Sequence, residues 1–170
     1  TAPRVAGRSA APAMAGCGQP LFAALDLGTN NCRLLLGAPT GHGFRVVDSF
    51  SRVVRLGEGL AATGRLSDDA MDRAAAALRT CADKLARRQV RRVEAVATEA
   101  CRRAANGQAF LNRVAEETGL RLRIISAREE AELAMESCAP LLEAGDRRAL
   151  LFDIGGGSTE FAWMRVPRGD

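Results

Sequence analysis

Alternating apolar and polar positions near the start of the chain predict three β-strands, over residues 21–27, 32–37 and 44–56. Small polar residues separate the first two segments, and a Gly-His-Gly turn precedes the third. Strands joined by such short turns pair antiparallel. We therefore predict a three-stranded meander, in which His42, the chain's single histidine, is an exposed turn residue without a catalytic role.

Farther along the chain, apolar residues recur at helical spacing in three segments. These predicted helices cover about 68–88, 108–118 and 127–143. Ser67 caps the first of them, and short apolar segments at 93–96 and 120–125 predict two more strands. The order is β-β-β-α-β-α-β-α, and helices between single strands imply right-handed crossovers and a parallel part of the sheet. The sequence therefore predicts an α/β domain with a mixed five-stranded sheet.

Two segments, 25–31 and 152–159, repeat one pattern: an apolar run, an aspartate, a glycine-bearing turn and a second apolar run. Glycine lets a backbone approach a ligand closely, and a turn rich in N–H groups forms an anion-binding concavity. Two such loops facing each other would hold a phosphate chain. Asp26 and Asp153 would then be available to a metal ion.

The repeat also predicts the domain organisation. Residues 1–20 are rich in Ala, Pro and Gly and predict a disordered tail. We expect residues 21–147 to form one domain. Residues 148–170 are then the first hairpin of a second, similar domain that the chain contains only in part.

The composition narrows the class of protein. The 170 residues carry a net charge of +4, and all basic residues except Lys84 are arginine, which suits phosphate recognition without requiring it. Aromatic residues are not interleaved with basic ones, so we expect no nucleic-acid partner. No apolar run reaches the length of a membrane span, and the five cysteines form no C-x-x-C pair. We therefore expect reduced thiols and a cytoplasmic protein without membrane contact.

The third predicted helix places one glutamate apart from its acidic neighbours. Ser126 and Glu129 form a capping box at the start of the helix. On a helical wheel the other glutamates share a solvent-facing side with Glu129, whereas Glu130 lies at the edge of the apolar stripe. A carboxylate held there is a candidate general base, or it complements the helix dipole. The pattern by itself favours the dipole role.

Five segments match a known family in the order in which they occur along the chain. They are residues 26–31, 55–60, 98–102, 125–131 and 153–160. Together they resemble the N-terminal part of the exopolyphosphatase and guanosine pentaphosphate phosphatase family, within the actin, sugar-kinase and Hsp70 superfamily. The specific part is a Ser-x-x-Glu-Glu-Ala segment followed, after about twenty residues, by Asp-Ile-Gly-Gly-Gly-Ser. The resemblance implies a ribonuclease H-like (actin-like ATPase) fold.

The resemblance also implies roles for single residues. It makes Glu130 the catalytic carboxylate that orients and activates the attacking water, which reverses the interpretation from the pattern alone. The phosphate-binding residues that it implies are Gly28, Thr29, Asn30, Asn31, Arg102, Gly155, Gly156, Gly157 and Ser158. It implies Mg²⁺ or another divalent cation near Asp153, with Glu160 close by and with Asp26 as the further carboxylate that the repeated pattern offers.

The function that the resemblance implies is hydrolysis of phosphoanhydride bonds. Terminal phosphate would be released from inorganic polyphosphate in a cleft between two domains, of which this chain supplies one half. Guanosine pentaphosphate or tetraphosphate is the alternative ligand, and a module that binds these anions without turnover is a second alternative. An ATP-using relative of the sugar kinases is a third, against which the Glu130 segment argues. The chain by itself is expected to have weak activity or none, and a homodimer is compatible with the resemblance.

Overall fold

The computed structural model describes residues 19–41, 43–142 and 148–165, with the backbone alone at Glu160 and Met164. The predicted tail lies almost wholly outside these ranges, as does His42. The strands and helices are, in order, β1 (Phe22–Leu27), β2 (Asn31–Thr40), β3 (Gly43–Val53), α1 (Leu60–Thr63), α2 (Asp68–Arg88), β4 (Arg92–Ala97), α3 (Glu99–Arg103), α4 (Gly107–Thr118), β5 (Arg123–Ile124), α5 (Ala127–Cys138), a 3₁₀ turn (Ala139–Leu141), β6 (Arg148–Ile154) and β7 (Thr159–Arg165).

The first five strands form one mixed sheet, as the sequence predicts. Its order is β3-β2-β1-β4-β5, in which β1 pairs antiparallel with β2 and parallel with β4. β3 adds antiparallel to β2, and β5 adds parallel to β4. β6 and β7 form a separate two-stranded antiparallel sheet. The predicted domain boundary, between residues 147 and 148, adjoins a segment outside the described ranges and stays a prediction.

The hydrophobic core contains one face of the larger sheet together with the inner faces of α2 and α4. Alternation along β1 buries Ala23, Leu25 and Leu27, and β2 continues the same layer. α2 contributes a row of buried alanines, and Phe110 on α4 is the only aromatic side chain buried in the described part of the chain. This aliphatic core fixes β1 at the centre of the sheet, while the opposite face of the strand carries Asp26.

Local signals set the helix starts where the sequence predicts them. The Ser67 hydroxyl accepts a hydrogen bond from the N–H of Ala70 at 3.3 Å, at the start of α2. The Ser126 hydroxyl accepts from the N–H of Glu129 at 3.1 Å, at the start of α5. This second cap fixes the first turn of α5, to which Glu130 belongs.

The end predicted for the third long helix is wrong. α5 ends at Cys138 rather than near residue 143, because Pro140 has no N–H to continue the helix and the chain tightens into a 3₁₀ turn. None of the residues of α5 is fully buried, so its apolar stripe is only partly covered. Within the described ranges, no helix has both the length and the apolar character to cross a bilayer.

Strand boundaries differ from the predicted ones where pairing decides them. β2 extends beyond 32–37 at both ends, because β3 pairs along its whole length. β3 ends before the predicted residue 56, because the next two N–H groups bond to the carbonyl oxygen of Asn30 instead. β5 is shorter than 120–125, because only two residues pair with β4. The short helices α1 and α3 were not predicted, since four and five residues are too few to show a helical period.

Gly107, the first residue of α4, lies against the backbone of α3, and we predict that Gly107→Ala destabilises the fold. A Cβ at this buried position would lie 2.0 Å from the carbonyl oxygen of Cys101, so the two helices would have to separate. We expect the free energy of unfolding, measured by urea denaturation, to fall by about 1–3 kcal/mol. Gly41→Ala is the control, because a Cβ there meets nothing within 4 Å. Equal effects of the two substitutions would contradict this explanation.

Candidate active site

Both repeated loops line one cavity of about 340 Å³. The first loop joins β1 to β2, and the second joins β6 to β7. The residues that line the cavity are Asp26, Gly28, Thr29, Asn30, Asn31, Arg33, Thr98, Glu130, Asp153, Ile154, Gly155, Gly156 and Ser158. The structure therefore brings together most of the residues that the sequence predicts for the site, although they lie far apart in the chain.

A backbone hydrogen bond of the same type closes each of the two loops. In the first loop, the N–H of Gly28 donates to the carbonyl oxygen of Asn31 at 2.9 Å. In the second loop, the N–H of Gly155 donates to the carbonyl oxygen of Ser158, also at 2.9 Å. The repeat in sequence is thus a repeat of one turn, of the glycine-bearing kind that can form an anion-binding concavity.

The second loop lies directly against the first, and glycine makes this approach possible. A Cβ on Gly156 would lie 2.8 Å from the Cβ of Asn30, and a Cβ on Gly157 would lie 3.0 Å from the side chain of Thr29. The first distance leaves no room for another residue without movement of a loop, and the second requires the Thr29 side chain to shift. Gly157 therefore belongs to the site through its contact with the first loop, although it does not line the cavity itself.

A third segment, residues 54–57, supports the first loop from outside the cavity. The carbonyl oxygen of Asn30 accepts from the N–H groups of Val54 at 2.8 Å and Arg55 at 3.0 Å. The carbonyl oxygen of Thr29 accepts from the N–H of Gly57 at 3.0 Å. These three bonds fix the loop backbone through its carbonyl groups. They give the matched segment 55–60 a physical role, which is to hold the first loop in place.

Asp26 carries a buried carboxylate oxygen to which no group in the described part of the chain donates a hydrogen bond. It lies at the end of β1, directly opposite Arg33 in the pairing with β2. Its Oδ1 atom is buried and has no hydrogen-bond partner within the described residues. Burial raises the pKa of Asp26, Arg33 lowers it in part, and Asp153 raises it because two carboxylates repel each other. A cation bound between the two aspartates would relieve both penalties.

The donor set fits a divalent cation such as Mg²⁺. In proteins, Mg²⁺ is commonly bound through one or two carboxylates, with water and substrate phosphates completing its coordination. Asp26 and Asp153 supply two carboxylates to one cavity. In the described part of the chain, no group of three or more His, Cys, Asp and Glu side chains forms a metal cluster. Glu160 lies opposite Asp153 in the β6–β7 pairing, and with only its backbone described, its metal role stays a prediction.

Glu130 reaches the same cavity from the first turn of α5. Its side chain is 20% exposed. Its Oε2 atom accepts a hydrogen bond from Nη1 of Arg102 at 3.1 Å. Glu129 and Glu132, by contrast, pair with arginines on the outside of the helix. The difference between Glu130 and its neighbours, which the helical wheel indicates, thus corresponds to different surroundings in the structure.

Arg102, which the resemblance makes a phosphate ligand, is not among the described residues that line the cavity. Its Nη2 donates to Glu99, while its Nη1 donates to Glu130 and, at 2.7 Å, to the carbonyl oxygen of Ile125. The guanidinium thus bonds to three acceptors of the protein. The predicted contact with phosphate stays a prediction, and the observed contacts connect Arg102 to the carboxylate of Glu130 instead.

Two polar residues that line the cavity, Arg33 and Thr98, were not predicted from the sequence as site residues. Arg33 lies across from Asp26 in the β1–β2 register, and Thr98 follows the C-terminal end of the parallel strand β4. The Thr98 N–H donates to the carbonyl oxygen of Leu27 at 3.1 Å, which places Thr98 beside the first loop. The hairpin register could have identified Arg33, because residues directly opposite each other share one face of a sheet. The position of Thr98 beside the site depends on the parallel pairing of β1 with β4, which no local sequence pattern predicts.

Comparison with known proteins agrees with this arrangement. A family model described as the Ppx/GppA phosphatase family matches residues 38–166. In sequence, the chain is similar to exopolyphosphatase 2 of Mycobacterium tuberculosis, with 37% identity over 147 residues, which cover 81% of this chain and 46% of that protein.

Two solved structures are similar over a comparable part of the chain. One is the Aquifex aeolicus member of the Ppx/GppA family, with a TM-score of 0.75 and 32% identity over 86% of this chain and 47% of that one. The other is an exopolyphosphatase from Cytophaga hutchinsonii, with a TM-score of 0.81 and 30% identity over 85% of this chain and 46% of that one. The chain thus spans about half the length of the relatives it matches.

The buried carboxylate of Asp26 leads to a prediction about stability in metal-free buffer. Because the pKa of Asp26 is raised in the folded state, the native protein holds this proton more tightly than the unfolded chain does. Stability is therefore lost as the pH rises above the ordinary pKa of aspartate and through the raised one. We expect Asp26→Asn to increase the free energy of unfolding at pH 7 by about 1 kcal/mol. The gain should disappear below the ordinary pKa of aspartate, about 3.9.

Urea denaturation in EDTA at a series of pH values measures this difference. Asp83→Asn, at an exposed position of α2, is the matched control and should leave stability unchanged. Addition of Mg²⁺ should stabilise the wild-type protein and have little effect on Asp26→Asn. If Asp26→Asn is less stable than the wild type at neutral pH, the ionised carboxylate does not destabilise the fold and the prediction is wrong.

Proposed function

Because the chain belongs to the Ppx/GppA phosphatase family, we propose that it forms one wall of a cleft that hydrolyses terminal phosphoanhydride bonds of inorganic polyphosphate. The resemblance predicted from five short segments is confirmed at the level of the family. One observation carries the proposal: the two glycine loops, the two aspartates and Glu130 line the same cavity. In a two-domain cleft, a second domain would supply the opposite wall.

The loops would hold the phosphate groups. Glycine-rich turns present backbone N–H groups to an anion, and the absence of side chains at Gly155 and Gly156 lets phosphate oxygens approach them closely. Arg33 adds a positive side chain to the same cavity. Its planar guanidinium can bind two phosphate oxygens at once. Backbone donors and one arginine suit a repeating anion, because they recognise charge and shape rather than a base.

Asp26 and Asp153 would hold the divalent cation. When bound there, the ion would supply positive charge that offsets the negative charge of the phosphate oxygens. The two aspartates would hold the ion beside both loops, because each lies near the end of a strand that leads into a loop. The desolvation and repulsion that raise the pKa of Asp26 in the metal-free protein are offset when the ion binds.

Glu130 would act on the attacking water. Its carboxylate accepts a proton from the water while the water oxygen forms a bond to the terminal phosphorus. The bond from phosphorus to the bridging oxygen breaks, and the shortened chain leaves as an anion that takes up a proton from solvent. Phosphoryl transfer of this kind needs positioning and charge neutralisation more than covalent catalysis. A carboxylate at the cavity edge, separate from the metal-binding aspartates, is suited to that role.

Guanosine pentaphosphate is the second candidate substrate, since the family description joins the two phosphatase names. Its terminal phosphoanhydride presents the same bond to the same groups. The name of the M. tuberculosis relative favours polyphosphate. A protein that binds these anions without turnover is the remaining candidate, and phosphate release distinguishes it from both hydrolases. An ATP-using relative of the sugar kinases is disfavoured by the match to the phosphatase family, which includes the Glu130 segment.

We predict that Glu130→Gln nearly abolishes phosphate release in the expressed protein that contains this chain. Loss of the proton acceptor should lower kcat by about 10²–10⁴-fold, while the thermal midpoint stays unchanged. Glu132→Gln is the matched control, because Glu132 pairs with Arg128 on the outside of α5. Orthophosphate is measured with Mg²⁺ and either polyphosphate or guanosine pentaphosphate.

The two substrates separate the possible outcomes. Release from polyphosphate that depends on Glu130 supports the proposal as stated. Release from guanosine pentaphosphate alone would change the substrate and keep the mechanism. Tight binding of either anion without any release over hours would contradict the hydrolase and support a binding module.

We predict that Gly156→Ala lowers the catalytic efficiency of phosphate release. The added methyl group would lie 2.8 Å from the Cβ of Asn30 and would force the two loops apart. A displacement near 1 Å at a positioning element can cost roughly a hundredfold in rate, so kcat/KM for polyphosphate should fall by at least tenfold. Gly41→Ala, in an open turn remote from the cavity, should leave kcat/KM unchanged. An unchanged kcat/KM for Gly156→Ala would show that contact between the loops is not needed.

A further inference from the structure

Arg102 connects three parts of the protein that meet beside Glu130. It lies in α3, and its Nη2 donates to the carboxylate of Glu99 in the first turn of the same helix. Its Nη1 donates at 2.7 Å to the carbonyl oxygen of Ile125, immediately before the cap of α5. The same Nη1 donates at 3.1 Å to Oε2 of Glu130. One guanidinium thus binds α3, the backbone that begins α5, and the side chain of Glu130.

These contacts are partly shielded from solvent, which makes their geometry effective. The side chains of Arg102, Glu99 and Glu130 are 21%, 17% and 20% exposed. Charge-assisted hydrogen bonds in such surroundings are stronger and better defined than those at an open surface. Glu99 also lies 3.6 Å from Arg103, whose side chain is 56% exposed. The network therefore has a sheltered side towards Glu130 and an exposed side towards Arg103.

We infer that Glu99 and Arg102 are positioning residues that hold the carboxylate of Glu130 for its action on water. An arginine and a carboxylate tend to pair through two parallel hydrogen bonds. Here Glu99 binds Nη2, so the contact with Glu130 runs through Nη1 and Oε2. Glu99 thereby sets the orientation of the guanidinium, and the guanidinium sets the orientation of Glu130. This inference rests on the proposed function, in which Glu130 is the catalytic carboxylate.

Two simpler roles make different predictions about kinetics. If Arg102 contacts phosphate, its replacement should raise KM, because ground-state binding is lost. If Glu99 and Arg102 only form a stabilising ion pair within α3, their replacement should lower the thermal midpoint and leave kcat unchanged at temperatures below it. A positioning role should instead lower kcat with little change in KM. The split between kcat and KM therefore distinguishes the three roles.

The test uses Glu99→Gln and Arg102→Lys in the expressed protein that contains this chain. Glutamine keeps the shape of Glu99 without its charge, and lysine keeps the charge of Arg102 without the fork that reaches three acceptors. We expect kcat for phosphate release from polyphosphate to fall about tenfold or more in both variants, with KM changed less than about twofold. Arg103→Gln, which removes the exposed partner of Glu99, should leave both constants unchanged.

A second readout keeps the inference testable without activity. Selective ¹³C labelling of glutamate carboxyl groups, assigned through the signal that disappears in Glu130→Gln, reports directly on the surroundings of Glu130. Glu99→Gln should shift the Glu130 signal, and Arg103→Gln should not. If the wild-type protein releases no phosphate, the proposed function fails. The Glu130 signal then tests by itself whether Glu99 influences the carboxylate of Glu130. An unmoved Glu130 signal, an unchanged kcat in both variants, or a tenfold rise in KM with unchanged kcat in Arg102→Lys would each overturn the inference.

Discussion

The backbone of the β6–β7 turn lies so close to the loop after β1 that Gly156 has no room for a side chain, and a Cβ on Gly157 would displace the Thr29 side chain. The other features of the site depend on this contact. It joins the small two-stranded sheet to the larger sheet, places Asp153 in the same cavity as Asp26, and closes the cavity that Glu130 enters from α5. The first loop can accept such a contact because its carbonyl groups are bonded from the other side by residues 54–57. Rigid support on one side thus permits close approach on the other.

A charged group that the proposed chemistry needs, the carboxylate of Asp26, destabilises the metal-free fold. Asp26 has a buried oxygen without a hydrogen-bond partner among the described residues, and its pKa is raised by burial and by the neighbouring Asp153. The buried core beneath it is largely aliphatic, and the stability that this burial contributes offsets the cost. The carboxylate of Glu130, by contrast, accepts a hydrogen bond from the guanidinium of Arg102, which also donates to Glu99. In the proposed site, Asp26 would bind the cation and Glu130 would be held in orientation for its action on water.

The β6–β7 hairpin exposes large apolar side chains, which a globular domain normally buries. They include Phe152, Phe161 and Trp163, and the two phenylalanine rings pack edge to face with centroids 5.1 Å apart. The hairpin contacts the rest of the described chain mainly through its turn and through α5. The chain spans about half the length of its relatives, and a second domain built on this hairpin, as proposed, would cover these side chains.

What the sequence by itself determined is local in origin. Alternation and helical spacing predicted the five-stranded mixed sheet and the long helices, because burial of one face imposes a period on each element. The Ser126 cap and the glycine loops could be recognised because their geometry requires particular residues within a few positions. Only the tertiary structure decided that Thr98 adjoins the first loop and that Arg102 is bonded to Glu99 and Glu130 rather than lining the cavity. These contacts join residues that are distant in the chain or depend on how a side chain is directed after packing, and no local period records either of them.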